Sequence, residues 1–236
     1  MILIRSAIFN ILFFFIISFS LIFGVPLLLL NKRYTFIFWK NLSAFLDFIT
    51  QKIAGIKYTI ENPHNILNSP AIYAVRHEST WETLILIHKF HNPIFVVKKE
   101  LLNIPVFGSF SKKVGTIGID RELGVKSLID AVKQVYAAVI NNHPVVIFPE
   151  GTRLSTGTYS GIKRGIALFY QKANCPVIPV IHNSGKFWPR RGFLKNPGNI
   201  TLKFLDPIQP GLSQNEFLDK LNSDFRSETE KLSALN

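Results

Sequence analysis

Cysteine is nearly absent. Cys175 stands alone among 236 residues, which excludes an intrachain disulfide framework and any zinc site made of several thiolates. Charge is sparse as well. Asp, Glu, Lys and Arg make up 18% of the chain, and acids are the scarcer half, 15 against 27 bases, leaving a net charge of +12. Such a surplus points to an anionic partner: nucleic acid, phospholipid headgroups or a phosphorylated substrate. No internal repeat, low-complexity linker or G-x-S-x-G nucleophile elbow occurs. Apolar residues are abundant, at 47% with 21 Phe, so disorder is excluded as the main theme. The length suits one compact domain with an appendage, large enough to bury a core unaided.

A mean hydropathy of +0.23 is high for a purely soluble protein, and its source is local. Ser6 to Leu30 is a run of 25 residues without a formal charge, mostly Ile, Leu and Phe. As a helix it reaches about 37 Å, against a bilayer core of about 30 Å. It therefore either spans with some tilt or lies embedded with a bend at Gly24–Pro26. A signal peptide has a shorter apolar stretch followed by a cleavage site; this run ends in Asn31, Lys32, Arg33 and Tyr34. A helix apolar on all sides is also a poor fit to the core of so small a protein. Residues 34–54 carry Phe36, Phe38, Trp39, Leu42, Phe45, Leu46, Ile49 and Ile53 at mostly helical spacing, with Lys40 and Lys52 between them. That pattern fits an amphipathic helix at a membrane surface, and equally a helix packing its stripe on the following domain. If the first segment spans, Lys32, Arg33 and Lys40 after it place the remainder in the cytoplasm.

The basic surplus lies elsewhere. Residues 71–211 hold 18 basic and 8 acidic groups, mostly as separated pairs such as Lys98-Lys99, Lys112-Lys113, Lys163-Arg164 and Arg190-Arg191. Scattered pairs suit a phosphate site near a membrane as well as a nucleic-acid stripe, so charge by itself does not choose.

Short apolar runs alternate with helical stretches. Lys57–Ile60, Ala71–Val75, Ile94–Val97, Thr116–Ile119, Val145–Phe148, Val177–Val180 and Ile200–Leu205 read as strands. Trp81–Phe90, Gly124–Ile140, Ile162–Ala173 and Gln214–Leu232 read as helices. The expected fold class is α/β, a mixed, largely parallel sheet flanked by helices, with an N-terminal membrane-embedded helical segment. The polar stretch Pro63–Pro70 suggests a division into an anchoring segment, 1–62, and a catalytic domain, 63–236.

In such sheets chemistry gathers beyond the carboxyl ends of strands, and three polar loops stand there. Arg76–Thr83 follows the second strand. In it, His77 can take a proton from a hydroxyl, and Glu82 can hold the other ring nitrogen if the helix begins between them. Ser79 to Glu82 also has the form of a capping box, so Glu82 is equally suited to a capping role. Pro149–Arg153 follows the fifth strand: Gly151 permits a tight turn, Arg153 offers a fork of donors suited to phosphate, and Glu150 can orient Arg153 or accept from a substrate hydroxyl. An ordinary turn with a solvated ion pair is the plain alternative. Asp120-Arg121 follows the fourth strand and is either a further phosphate contact or a surface pair of little weight. His88 and His91, three apart on a helix, lack a third metal ligand and read as surface residues.

These blocks, in this order, resemble those of the bacterial 1-acylglycerol-3-phosphate acyltransferases. That family carries H-x4-D, G-x-x-x-I-D-R, F-P-E-G-T-R and V-I-P-V blocks; here they are His77…Glu82, Gly115…Arg121, Phe148…Arg153 and Val177…Val180. The resemblance covers roughly residues 35–210, and the third block matches in full. Two positions depart: the acid is Glu82, one methylene longer, and Gly118 replaces a bulkier residue.

The resemblance implies a membrane-bound enzyme of phospholipid biosynthesis at the bacterial inner membrane, its catalytic domain facing the cytoplasm. His77 would take the proton of the 2-hydroxyl of lysophosphatidate, whose oxygen attacks an acyl thioester. The donor would be acyl carrier protein or coenzyme A. Glu82 would hold His77. Arg121 and Arg153 would hold the acceptor phosphate, and Glu150, Gly151 and Thr152 would shape the loop. Lys98 would serve the oxyanion or the donor phosphates. No metal, other cofactor or nucleic acid is implied. Two alternatives remain: another acceptor such as a lyso-ornithine lipid, and a non-enzymatic basic membrane tether.

Overall fold

The computed structural model describes residues 1–120 and 122–234. The N-terminal region forms helix α1 (Ile2–Phe23), a bend at Gly24, a short 3-10 stretch (Val25–Leu29) and helix α2 (Lys32–Ile49). The Asn31 side chain caps α2 by accepting from the Arg33 N–H at 2.9 Å. One wider π turn (Thr50–Ala54) extends α2 until Gly55, whose left-handed backbone (φ 73°) ends it.

All seven expected strands form, shifted by up to two residues at their ends: β1 (Ile56–Glu61), β2 (Ile72–Val75), β3 (Ile94–Lys98), β4 (Ile117–Ile119), β5 (Val145–Ile147), β6 (Val177–His182) and β7 (Gly198–Phe204). Five further helices complete the order: α3 (Trp81–Lys89), α4 (Phe107–Lys113), α5 (Gly124–Ile140), α6 (Ile166–Ala173) and α7 (Ser184–Phe187), before α8 (Gln214–Ala234) closes the chain's described part. The helix expected from Ile162 begins four residues later, because the Lys163 N–H reaches back to the Pro149 carbonyl at 2.9 Å and holds that stretch as a loop. The short helices α4 and α7 are too brief to leave a periodic signature.

The strands form one sheet in the order β1-β7-β6-β2-β5-β3-β4. Pairing is parallel throughout except between β6 and β7, so the sheet is mixed and largely parallel. β1 precedes the 62/63 boundary suggested by composition, yet it pairs with β7 over six residues and belongs to the same sheet. The Pro63–Pro70 stretch therefore carries the chain from one part of the sheet to another.

The central strands are buried on both sides, which is why they read as unbroken apolar runs. Ile72 and Ala74 face α5, α6 and α8, with Ala131, Val135 and Val139 spaced by four along α5. Tyr73 and Val75 face the other way, toward α1, α2 and α3, where Phe9, Leu42, Leu46 and Ile85 pack. Residues 34–54 do pack a stripe on the following domain: Leu42, Leu46 and Ile49 face inward, while Phe45 and Phe48 on the other side are exposed.

Gly118, the unusual member of its block, is explained by packing. A Cβ there would lie 2.8 Å from Leu102 Cδ1 and 3.2 Å from the Lys99 Cα. The 3-10 turn Lys99–Asn103 thus lies directly on β4. Gly118→Ala is expected to lower stability by about 1–3 kcal/mol through overpacking, measured as a lower melting midpoint of the purified protein in detergent.

Candidate active site

Parallel pairing decides where the polar loops meet. β2 lies between β5 and β6, and the carboxyl ends of β2 and β5 open on the same edge. The loop after β2 therefore meets the loop after β5, with the chain leaving β6 on its other side.

Arg76 is the hinge of this meeting. It is fully buried. Its Nε donates to Glu78 Oε1 at 2.6 Å and its Nη1 to Glu150 Oε1 at 3.0 Å. Its Nη2 reaches the carbonyls of Ser155 and Thr158. Glu78 uses its second oxygen to accept from Thr156 Oγ1 at 2.9 Å and from the Gly185 N–H at 2.8 Å. One guanidinium thus ties the loop after β2 to the chain after β5, and Glu78 carries the connection on to Gly185.

His77 stands in front of this cluster. Its backbone N–H donates to Glu150 Oε2 at 3.0 Å. Its ring stacks on Phe148 with centroids 4.0 Å apart. Nδ1 lies 2.7 Å from Glu82 Oε1, an acceptor-only carboxylate, which assigns the proton to Nδ1 and leaves Nε2 as the basic nitrogen. The His77 side chain keeps 17% exposure while Glu82 has none.

The extra methylene of Glu82 is absorbed by a full set of donors. Its Oε1 accepts from the backbone N–H groups of Glu78 and Ser79 at 3.0 and 2.9 Å. Its Oε2 accepts from Ser184 Oγ at 3.0 Å. Glu82 is therefore both a helix-start acceptor and the partner of His77; the two roles use one carboxylate. Ser79 Oγ completes the cap by accepting from the Trp81 N–H at 2.8 Å. His182 backs the arrangement: its Nε2 donates to the Arg76 carbonyl at 2.7 Å and its Nδ1 accepts from the Ser184 N–H at 3.3 Å.

The two carboxylates beside His77 are driven apart in acidity. For Glu82, burial pushes the carboxyl up, but His182, His77 and backbone donation outweigh it and bring it down to about 2. For Glu150, burial dominates over Arg76 and the His77 N–H, and nearby Glu78 and Glu82 add to it, so its carboxyl is pushed up to about 7.

The front of His77 opens on a cavity of about 1170 Å³. Thr152, Gly151, Arg153 and Lys98 line it, as do Asp120, Lys163, Arg190 and Arg191. Apolar side chains line much of the rest, among them Phe13, Phe14 and Ile17 of α1 and Trp39 and Leu42 of α2. Burial pushes the Arg153 guanidinium below its usual range, Glu82 opposes this and Arg190 adds to it.

Of the residues expected from sequence, His77, Lys98, Gly151, Thr152 and Arg153 share this cavity. Glu150 does not line it. It is 1% exposed and bound to Arg76 and His77, so it neither orients Arg153 nor meets a substrate hydroxyl; it supports the β2 loop from behind. Asp120 binds Lys99 at 3.1 Å, while Arg121 lies outside the described residues. Arg76, Glu78, Ser184 and Arg190 were not singled out beforehand. Arg76 and Glu78 carried one signal, charges placed directly after a buried strand. Ser184 carried a weaker one, a polar His182–Ser184 stretch ending another. Among the described residues, no three His, Cys, Asp or Glu side chains are grouped to hold a metal ion.

Comparison with known proteins matches the acyltransferase family model to residues 57–183. The chain is 36% identical over 178 residues to a Pseudomonas aeruginosa 1-acyl-sn-glycerol-3-phosphate acyltransferase, covering 75% of this chain and 69% of that protein. The chain belongs to the acyltransferase family. A Helicobacter pylori protein of the same name is 29% identical over 163 residues, 66% of this chain and 67% of its own. A chloroplast relative from Arabidopsis thaliana is 26% identical over 200 residues, 80% of this chain but 56% of its own length. The crystal structure of the 1-acyl-sn-glycerophosphate (LPA) acyltransferase PlsC from Thermotoga maritima superimposes with a TM-score of 0.81 at 20% identity, covering 99% and 98% of the two chains. That similarity is one of fold. It includes the two N-terminal helices of this acyltransferase, since nearly the whole chain is aligned.

The depressed Glu82 sets a testable acid limb. Its folded-state carboxyl lies below the ordinary 4.5, so its stabilising share is complete above about pH 4.5 and is lost as pH falls toward 2. Glu82→Gln is expected to lack that part of the acid unfolding curve and to lower kcat by roughly two orders of magnitude or more. Acid titration by circular dichroism and a turnover assay, each beside the unmodified protein, check both.

Proposed function

We propose that this acyltransferase moves a fatty acyl group from an acyl thioester to the 2-hydroxyl of lysophosphatidate, giving phosphatidate. The observation that carries the proposal is the His77–Glu82 dyad facing a cavity lined by both basic groups and apolar side chains. His77 Nε2 takes the proton of the hydroxyl as its oxygen attacks the thioester carbonyl. Glu82 holds the ring and stabilises the imidazolium. The carbon–sulfur bond breaks, and the proton passes from His77 to the departing thiolate. Arg153 holds the acceptor phosphate through charge-assisted hydrogen bonds, and Lys98 lies on the same wall for the oxyanion or the donor phosphates. The apolar lining receives an acyl chain, each buried methylene contributing about 0.8 kcal/mol. The donor is a thioester of acyl carrier protein or coenzyme A, and the basic surface favours either anionic partner. A chain that only tethered to anionic lipid would have no use for a buried carboxylate aligning a partly exposed imidazole.

Release of free thiol from acyl-coenzyme A or acyl carrier protein, with lysophosphatidate added or omitted, tests the activity. Thiol release is expected only with acceptor present, and His77→Ala is expected to fold normally and lose it by at least a thousandfold. Near-normal turnover by His77→Ala, or equal release without acceptor, defeats the proposal. Faster turnover of a lyso-ornithine lipid would reassign the acceptor.

The same reading extends to the membrane. The N-terminal apolar helix indicates membrane association, and its contacts favour embedding over spanning. Near its start, Arg5 Nε donates to the Ile53 carbonyl at 2.9 Å and Asn10 Nδ2 to the Phe193 carbonyl at 2.8 Å. Beyond its end, Lys113 Nζ donates to the Leu28 carbonyl at 2.8 Å. Both ends touch one body, while Ile4, Ile8, Ile11, Phe15, Phe19 and Ile22 point outward. We infer a helix lying in one leaflet at the cytoplasmic face of the bacterial inner membrane. A cysteine added ahead of Met1 and Lys32→Cys should both react with an impermeant maleimide in inside-out vesicles and in neither case in intact cells. Labelling from opposite sides would require a spanning helix.

A further inference from the structure

The Arg190-Arg191 pair contributes to the basic surplus, and the structure gives its first member a place. Arg190 lies between α7 and β7. Its Nη1 donates to the Arg153 carbonyl at 3.1 Å and to Thr152 Oγ1 at 3.4 Å. Arg153 and Arg190 line the large cavity together with His77, and both border a smaller recess of about 240 Å³ beyond it. Among the described residues, neither guanidinium has a carboxylate within 4.0 Å. Glu78 borders the smaller recess, but its oxygens are taken by Arg76, Thr156 and the Gly185 N–H. Two like charges held side by side repel, and Arg190 contributes to the depressed ionisation of Arg153. An anion with more than one charge relieves both.

The loop is fixed from its far side as well. Trp188 packs edge-on against Phe9 and Phe13 of α1 at 5.0 and 5.2 Å. The Phe193 carbonyl accepts from Asn10, and the Lys195 N–H donates to Ser6 Oγ at 2.9 Å. Ser6 and Asn10 are rare polar residues within the apolar helix, and both are spent on this loop. Arg190 is thus pinned between α1 and the Thr152–Arg153 turn, although its side chain reaches solvent.

We propose that Arg190 is a second guanidinium on the acceptor phosphate, and that Arg153 and Arg190 together select phosphomonoester dianions over phosphodiesters. This rests on the lysophosphatidate reading and deepens it. A phosphomonoester near neutral pH carries close to two charges and three free oxygens, its second ionisation lying near pH 6. Two planar forks can each bind such a group through paired hydrogen bonds. A phosphodiester offers one charge and two oxygens, and leaves one guanidinium unmatched. Asn10 acts as a positioning residue, through the loop.

The test is steady-state kinetics of the full chain in mixed micelles, with lysophosphatidate and lysophosphatidylglycerol as acceptors. Arg190→Gln is expected to raise KM for lysophosphatidate about tenfold or more, with kcat within about threefold and the donor KM unchanged. Preference for the monoester over the diester, as a ratio of kcat/KM, should fall about tenfold. Arg190→Lys should recover part of it, since it keeps the charge without the fork. Asn10→Ala should shift KM in the same direction by less. In the unmodified enzyme KM should rise as pH falls through about 6, and this rise should flatten in Arg190→Gln. Matching melting midpoints establish that the variants are folded. An unchanged monoester preference in Arg190→Gln, or a rise confined to the donor KM, overturns the assignment. An unmodified enzyme that does not turn over lysophosphatidate overturns the parent proposal instead, and is seen before any variant is compared.

Discussion

A single buried cation holds the site together. Arg76 lies where the loops after β2 and β5 converge, and it neutralises Glu78 and Glu150 while binding two backbone carbonyls. Two carboxylates and a guanidinium leave water at considerable cost, and only near-complete hydrogen bonding compensates it. Nearly every polar atom in this cluster has a partner, including the backbone N–H of His77. Removing the guanidinium would strand two carboxylates behind the dyad. The rigidity of the dyad is therefore inherited from a network that touches no substrate.

Chemistry and membrane contact are joined through the same body. The sheet supplies one wall of the cavity and the N-terminal helices supply another, with Phe13, Phe14 and Ile17 reaching in from α1. The polar atoms of α1 are not random interruptions of an apolar run. Arg5, Ser6 and Asn10 each find a partner on the body. On the proposed function, a lipid whose chain lies along the apolar lining and whose phosphate meets the basic groups need not be exposed to water as it reacts. The N-terminal helices and the sheet thus enclose one cavity through one set of contacts.

Much of this was legible along the chain. The seven apolar runs mark seven strands because central strands of a parallel sheet are buried on both faces. His77 and Arg153 were legible because a polar group leaving a buried strand is conspicuous. Glu150 was legible as a residue shaping its loop but not by its partners: three residues before Arg153, it turns instead to Arg76 and the His77 N–H. Ser184 escaped notice because its importance depends on β6 lying beside β2, a pairing that no local pattern encodes. Arg190 was visible only as charge.

The sequence by itself determined the fold class, the apolar N-terminal segment and the acyltransferase family, since periodicity, hydropathy and motif chemistry are local properties. Tertiary structure decided which carboxylate faces His77 and which stands behind it, how α1 is held against the body, and which cations line the cavity. Those outcomes depend on strand order and on hydrogen bonds between residues far apart in the chain, where direction and distance, not residue type, set the energy.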